Sequence, residues 1–573
     1  MKNSDDTKSV SAANYRCITA VFACILTTIT VAVLSLQYTV AQDKPADSSI
    51  VKFRSSAIVS ADFYHGSSSD STFRPRLQPF SVRSIVRAEI TLPSDIALPF
   101  EFYGSTQNIT FQQPFNQLGI NPRIGSWLTL HAGFFSVMQS DFTFGDLRLC
   151  GGGIEIAPGD FWLSAAYGIG AFMREPIPSA NYPGEYSRIF ALASVGYGKS
   201  ISDNIRLNFS FAKDDTAAML SLADSLRPPP RDNLAASMSF ALNPVSWLSL
   251  GGETAATVYT DDARLPAINY EMNLPKFLIE PRISTRIDGA AKFSAMMKPS
   301  KNWNVKVDAK WIGPGFVTLG WQALQNDVLD VTLAPSARLV DGTLNFRVSG
   351  GVRFNNLRNN RLAAIRRIIA SAYIGWQITP TLGLDVQYGN YGMRSAHLND
   401  TLRIQNIFRN LNVSPRFAFD WLGGVNSVSA NYSLQDVDDK NVFSHDFTRS
   451  VAHTISAVHI LSLPSGLNFT TTTLYNSFAA AGIVTSVTSL TETVGQSYFD
   501  DALSLAVTAG INTVSAVASD KQFTAGINAS YFMQKSGTVS INISTNSFTS
   551  AQQLAQTPSF RELTAGATWR VTF

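Results

Sequence analysis

From Val51 to the carboxy-terminus, apolar and polar residues alternate one by one. Leu207, Phe209 and Phe211 alternate with Arg206, Asn208 and Ser210; Trp303, Val305, Val307, Ala309 and Trp311 alternate with Asn304, Lys306, Asp308 and Lys310. The last residues do the same: Leu563, Ala565, Ala567, Trp569, Val571 and Phe573 fall on one face, and Glu562, Thr564, Gly566, Thr568, Arg570 and Thr572 on the other. Successive side chains of a strand point to opposite faces, so a period of two predicts β-strands with one apolar and one polar face.

The breaks between these runs are of two kinds. Pro93-Ser94-Asp95, Pro158-Gly159-Asp160, Asp341-Gly342, Thr379-Pro380-Thr381 and Pro464-Ser465-Gly466 are tight-turn sequences. Between them lie longer polar connections near residues 65–78, 172–187, 213–232, 260–284, 391–408 and 436–450. Short and long connections alternate, as in an up-and-down barrel with turns at one end and loops at the other. A sandwich with crossing connections has no such two-ended rule.

A simple count gives about 25 strands, but it puts the turn at 93–95 after an even strand and the turn at 158–160 after an odd one. Short turns must share one end, so a strand is missing between residues 96 and 146. Asn108–Phe115 is the candidate. The reading is therefore all-β: a single large up-and-down antiparallel transmembrane barrel over 51–573, with about 24–26 strands and both termini at the short-turn end. Strands ~4.8 Å apart and tilted ~40° would enclose a lumen roughly 45–50 Å across. Such a lumen must be open, hold folded-in connections, or hold another protein. The stretches Gln113–Ser126 and Asp261–Arg282 are candidates for folding inward, either as a constriction or as self-packed caps.

Composition sharpens this picture. Charged residues are 15% and aromatics 11% of the 573 residues, against ~25% charged in soluble chains. The only apolar run long enough for a membrane helix is Cys17–Leu36, preceded by Lys2, Lys8 and Arg16. With Thr39-Val40-Ala41 before Gln42, it predicts a signal peptide over 1–41, cleaved between Ala41 and Gln42 and followed by a short periplasmic segment, 42–50, with an uncleaved anchor as the rival reading. Strand-like alternation begins so soon afterwards that no plug domain is expected. Cleavage leaves Cys150 as the sole cysteine and takes the formal charge from +3 to +2, which excludes a disulfide framework and gives no argument for nucleic acid.

The polar face is not electrically even. Arg286, Lys292, Lys306, Lys310, Arg338, Arg347, Arg353 and Arg367 share it with the acids Asp288, Asp308 and Asp330. This is a candidate lumen-lining basic arc that would favour anions, unless cross-strand pairing absorbs it. Trp162, Trp247, Trp303, Trp376 and Trp421 lie near short turns, where an aromatic belt would meet a membrane interface. No nucleophile elbow, HExxH, phosphate loop or zinc cluster occurs; His445 and Asp446, near Asp436, Asp438 and Asp439, form the best acid–histidine grouping. No catalytic residue, metal or cofactor is expected.

The signal segment, the repeated strands and the closing Trp569-Arg570-Val571-Thr572-Phe573 resemble large outer-membrane β-barrels of Gram-negative bacteria. Phe115-Asn116-Gln117-Leu118-Gly119-Ile120-Asn121-Pro122-Arg123 and Gly315-Phe316-Val317-Thr318-Leu319-Gly320 look similar to uncharacterised barrels of the Bacteroidota–Chlorobiota type. The resemblance implies that Trp569, Val571 and Phe573 are an assembly signal read by the barrel-assembly machinery. It also implies residence in outer-membrane lipid. Function then divides between a porin-like channel for solutes and a scaffold or secretion-associated barrel whose lumen holds connections or a periplasmic partner, with a barrel-embedded hydrolase as a minor alternative.

Overall fold

The structure is a computed structural model. It describes residues 51–572 apart from 71–72, 94, 107–116, 146, 175, 177–181, 183, 199–201, 220–226, 269–277, 322–323, 398–404, 442–447, 517–518, 535 and 552–557. The signal segment with Ala41 and Gln42, the strand candidate Asn108–Phe115, and Phe573 lie outside the described residues.

The strands run β1 Lys52–Ser67, β2 Phe80–Leu92, β3 Ile96–Ser105, β4 Gln117–Ile120, β5 Arg123–Ile124, β6 Leu128–Ser136, β7 Arg148–Ile156, β8 Phe161–Ala171 and β9 Ser187–Gly198. They continue as β10 Asn204–Asp215, β11 Asp232–Val245, β12 Leu248–Thr260, β13 Thr285–Ser300, β14 Trp303–Ile312, β15 Val328–Leu339, β16 Leu344–Asn355, β17 Ala363–Gln377 and β18 Leu382–His397. The last are β19 Gln405–Trp421, β20 Gly424–Asp439, β21 Ser450–Ser462, β22 Leu467–Ala480, β23 Ile483–Tyr498, β24 Leu503–Ser515, β25 Ser519–Met533, β26 Gly537–Thr549 and β27 Phe560–Thr572.

Each strand pairs antiparallel with its neighbours, and β27 returns to β1 with Ser56 opposite Thr572 and Ser67 opposite Arg561. The 27 segments make 26 staves. β4 and β5 are one strand interrupted at Asn121-Pro122, because proline has no N–H to give to the ladder. The register to β3 and β6 does not change across the break: Phe100 faces Ile120 and Ala97 faces Arg123, while Ala132 faces Ile120 and Thr129 faces Arg123. A strand that meets the parity requirement is at 117–124. It occupies the middle of the stretch expected to fold inward.

The two faces have the polarity of a barrel and not of a sandwich. On β10, outward Leu207 and Phe209 are 42% and 48% exposed, whereas inward Asn208 and Ser210 are 0% exposed. Connections at the end holding Lys52 and Thr572 are short throughout. Positive φ at Asp95 and Asp341 lets these tight turns reverse the chain. The opposite end carries the long connections, with two exceptions: residues 481–482 join β22 to β23, and 516–518 join β24 to β25.

Trp303, Trp376 and Trp421 share the outward face with Val305, Leu384 and Phe417 near the short-turn end. Trp162 departs from this pattern. It faces inward, opposite Gly196, with the Arg206 guanidinium 4.9 Å from its ring.

Candidate functional site in the barrel lumen

Two connections at the long end turn into the lumen. One, residues 137–147, joins β6 to β7; the other, 313–327, joins β14 to β15. Phe142, Phe144, Phe316 and Leu319 explain the turn inward, because removing such side chains from water contributes roughly 1.5–3 kcal/mol each. They find apolar partners on the inner wall. Phe144 packs edge-to-face on Phe190 at 5.1 Å, beside Leu149 and Leu192, and Phe142 meets Phe316 at 5.8 Å beside Ile312.

The two connections also bind each other. Phe144 and Gly320 form a parallel β-bridge. The Thr318 hydroxyl donates to the Thr143 carbonyl at 2.8 Å, and the Trp321 indole N–H donates to the Ser140 carbonyl at 2.8 Å. A Cβ at Gly320 would collide with the Thr143 carbonyl, so this contact requires glycine.

Wall side chains satisfy the inserted backbone. Asn233, fully buried on β11, donates Nδ2 to the Val317 carbonyl at 3.2 Å and accepts the Leu319 N–H on Oδ1 at 3.1 Å. The Thr257 hydroxyl donates to the same Val317 carbonyl at 2.8 Å. Gln139 donates Nε2 to Ser194 Oγ at 2.9 Å and to the Ala193 carbonyl at 3.1 Å. A buried chain segment must find such partners, and here the barrel supplies them.

Charge completes the attachment. Lys292 on β13 bridges Glu253 of the wall, at 3.1 Å, and Asp141 of the first connection. Glu253 is 1% exposed. Asp288 accepts the Gly315 N–H at 2.7 Å and pairs with Arg358 at 2.9 Å.

The inserted pair covers only one side. Inward residues of β8 to β12, such as Ser164, Phe190, Ser210, Asn233 and Thr257, are buried. Across the lumen, Asn528, Asn542 and Ser544 on the inner faces of β25 and β26 are exposed. That wall is zipped by short polar side chains, including Ser530–Ser540 at 2.9 Å and Gln522–Asn546 at 2.9 Å.

All eight residues of the basic arc share the inward phase. The structure divides them. Lys292 pairs as described, Arg353 grips Asp330 with two bonds of 2.6 and 2.7 Å, Lys306 meets Asp308 at 2.9 Å and Arg286 meets Asp261 at 3.6 Å. The side chains of Lys310, Arg338, Arg347 and Arg367 have no hydrogen bond or ion pair among the described residues. Trp569 and Val571 lie on the outward face of β27, opposite Val59 and Ala57 of β1, and the Trp569 indole donates to the Ser536 carbonyl at 2.7 Å.

The described flanks of the connection 261–284 pair with each other, and its residues 269–277 lie outside the described residues. The Ile268 N–H bonds to the Pro281 carbonyl at 3.0 Å and the Ile283 N–H to the Pro266 carbonyl at 3.2 Å. Within it, the Arg264 guanidinium bonded to Asp262 holds that carboxyl below the usual carboxylate range. Of the acid–histidine grouping, His445 and Asp446 lie outside the described residues, while Asp436 and Asp438 pair with Arg409, and Asp438 also with Lys440. Among the described residues no cluster of His, Cys, Asp or Glu could hold a metal ion.

No protein-family model and no curated protein sequence matches this chain. Among solved structures it is similar to the translocation pore of the P pilus usher PapC, at 11% identity and a TM-score of 0.32, with 91% of this chain and all of that chain covered. A second similarity is to a P pilus tip assembly intermediate from E. coli, at 11% identity and a TM-score of 0.45, over 93% of this chain and 64% of that one. The outer membrane protein OpdK from Pseudomonas aeruginosa gives 11% identity and a TM-score of 0.30 over 60% of this chain and 94% of that one.

Proposed function

We propose that this chain is an outer-membrane β-barrel pore that passes solutes along the uncovered side of its lumen, with a preference for anions. The exposed apolar outer face supports a lipid surroundings, and the closing strand, with Trp569 and Val571 outward, supports delivery by the barrel-assembly machinery. The observation that carries the pore reading is the lopsided interior: the wall at β8 to β12 is sealed by the inserted connections, and across the lumen β25 and β26 present exposed Asn and Ser to water. The unpaired part of the basic arc supports the anion preference.

Planar-bilayer recording of the folded chain tests this. A steady conductance with a reversal potential favouring anions in a salt gradient is expected. Cation preference would sink the selectivity. A silent barrel that co-purifies with another protein would favour the scaffold reading instead.

A further inference from the structure

At the short-turn end of the lumen, the inner faces of β13 to β17 line a half-open cavity of about 500 Å³. Its basic lining is Lys298, Lys301, Arg338 and Arg347, and its neutral polar lining includes Asn304 and Asn345. No acid lines it. We infer that this cavity is a binding site for a compact oxyanion carrying two or more negative charges.

Three observations converge. First, none of the four cations has an ion pair among the described residues, whereas Arg286, Lys292 and Arg353, nearer the long-connection end, are each neutralised. Lys310 and Arg367, also unpaired, stand level with Lys292 and Arg353, but the four cations of the cavity are gathered at the short-turn end. Second, the nearby acids are engaged elsewhere: Asp385 accepts the Tyr373 hydroxyl at 2.7 Å and pairs with Arg416 at 2.9 Å, and Asp308 pairs with Lys306 at 2.9 Å. Third, the amides of Asn304 and Asn345 make no hydrogen bond among the described residues, so donors stand beside the cations. Arginine presents a planar fork suited to carboxylate or phosphate oxygens. A cavity of this size suits a small molecule, whose pockets run from about 300 to 1,000 Å³. Charges in open water are screened over about 8 Å at physiological salt, so one negative charge gains little over chloride, and several held close together gain more. The site lies on the inner face of the wall, away from lipid headgroups. Lys298 and Lys301 extend the basic arc beyond the residues picked out by alternation; both flank the turn between β13 and β14, where the period of two stops.

The inference deepens the pore reading and rests on it for the role of the site, but not for its existence. The test is calorimetric titration of the full detergent-folded chain with pyrophosphate and, separately, citrate, with sucrose as the neutral control. Saturable binding of at least one anion, weakening as salt rises, is expected. Arg338→Gln with Arg347→Gln should lower that affinity about tenfold or more, and Arg367→Gln, on the same face but outside the cavity, should leave it unchanged. Stronger binding of pyrophosphate marks a phosphoryl ligand, and stronger binding of citrate a carboxylate one. Absence of saturable binding, or an equal loss in the Arg367 variant, would overturn the site. Heat-shifted gel migration of each variant separates loss of binding from loss of fold. A barrel that binds the anion yet conducts no current would overturn the pore reading and leave this site standing.

Discussion

The Tyr64 hydroxyl donates a 2.6 Å hydrogen bond to the Glu562 carboxylate, joining the first strand to the last across 498 residues of sequence. Arg76, from the connection after β1, donates Nε to the same carboxylate at 2.8 Å and lies 5.0 Å over the Phe560 ring. Phe73, from that connection, stacks on Phe560 at 5.8 Å. The closure of the barrel is therefore gripped from inside at its long-connection end. Glu562→Ala leaves Tyr64 and Arg76 without their acceptor, and losing hydrogen bonds to a charged group costs about 1.5–3 kcal/mol. The heat-induced gel shift should move to lower temperature, with Glu562→Gln intermediate. An unshifted transition would show that the seam does not depend on this contact.

Lys292 joins the inserted connection to the wall. Lys292→Met leaves Glu253 buried beside no cation, and breaking a buried pair this way costs about 3–5 kcal/mol when both partners are enclosed. Lys292 is about one-third exposed, so a loss of about 1–3 kcal/mol is expected in guanidinium unfolding followed by tryptophan fluorescence. The double variant Lys292→Met/Glu253→Gln should recover part of it. Equal losses in the single and double variants would rule out coupling.

Gly320→Val tests the bond between the two inserted connections. A side chain there must displace the Thr143 carbonyl, which parts residues 313–327 from 137–147. Single-channel conductance should rise, with more frequent current fluctuations, while folding and gel migration persist. Unchanged conductance would mean that the pair does not border the conducting path.

Glu492 is an acid on the outward face. It lies between Leu490 and Val494, opposite Ala509, and accepts a 2.6 Å hydrogen bond from the Thr471 hydroxyl. Facing lipid, it should weaken the fold, by less than the ~2–4 kcal/mol known for midplane Arg or Lys. Glu492→Leu should raise the unfolding midpoint in lipid vesicles. A lowered midpoint would assign this acid a structural partner.

Lipid-borne quenchers give a test of the tryptophan placement. In variants keeping one tryptophan each, Trp303, Trp376 and Trp421 should be quenched by bromine-labelled lipid, and Trp162 by iodide entering the lumen. Lipid quenching of Trp162 would contradict its inward orientation.

The alternation made the barrel legible, and the parity of its turns revealed a missing strand. Its position was not legible, because Asn121-Pro122 interrupts β4–β5 and makes the segment read as a connection. The inserted connections escaped for a related reason. Phe142-Thr143-Phe144 and Val317-Thr318-Leu319 alternate as strands do. A signal was present on the strands facing them: Phe190, Leu192, Ile312 and Val328 are apolar and buried at inward positions. An apolar residue on the water-facing phase of a barrel marks where something else lies against it. The basic arc was legible as a face but not as two groups, because the pairing of Lys292 and Arg286 depends on Glu253, Asp141 and Asp261, which come from outside the stretch that contains it.

The two short connections at the long end, 481–482 and 516–518, give the rim a gap. They stand over the same sector whose inner wall carries exposed Asn and Ser. On the pore reading, a solute arriving from that side would meet hairpin tips and then a polar surface free of inserted chain among the described residues. On that reading the barrel has a front and a back around its own axis: entry would be a lane down one wall, with the opposite wall as its support.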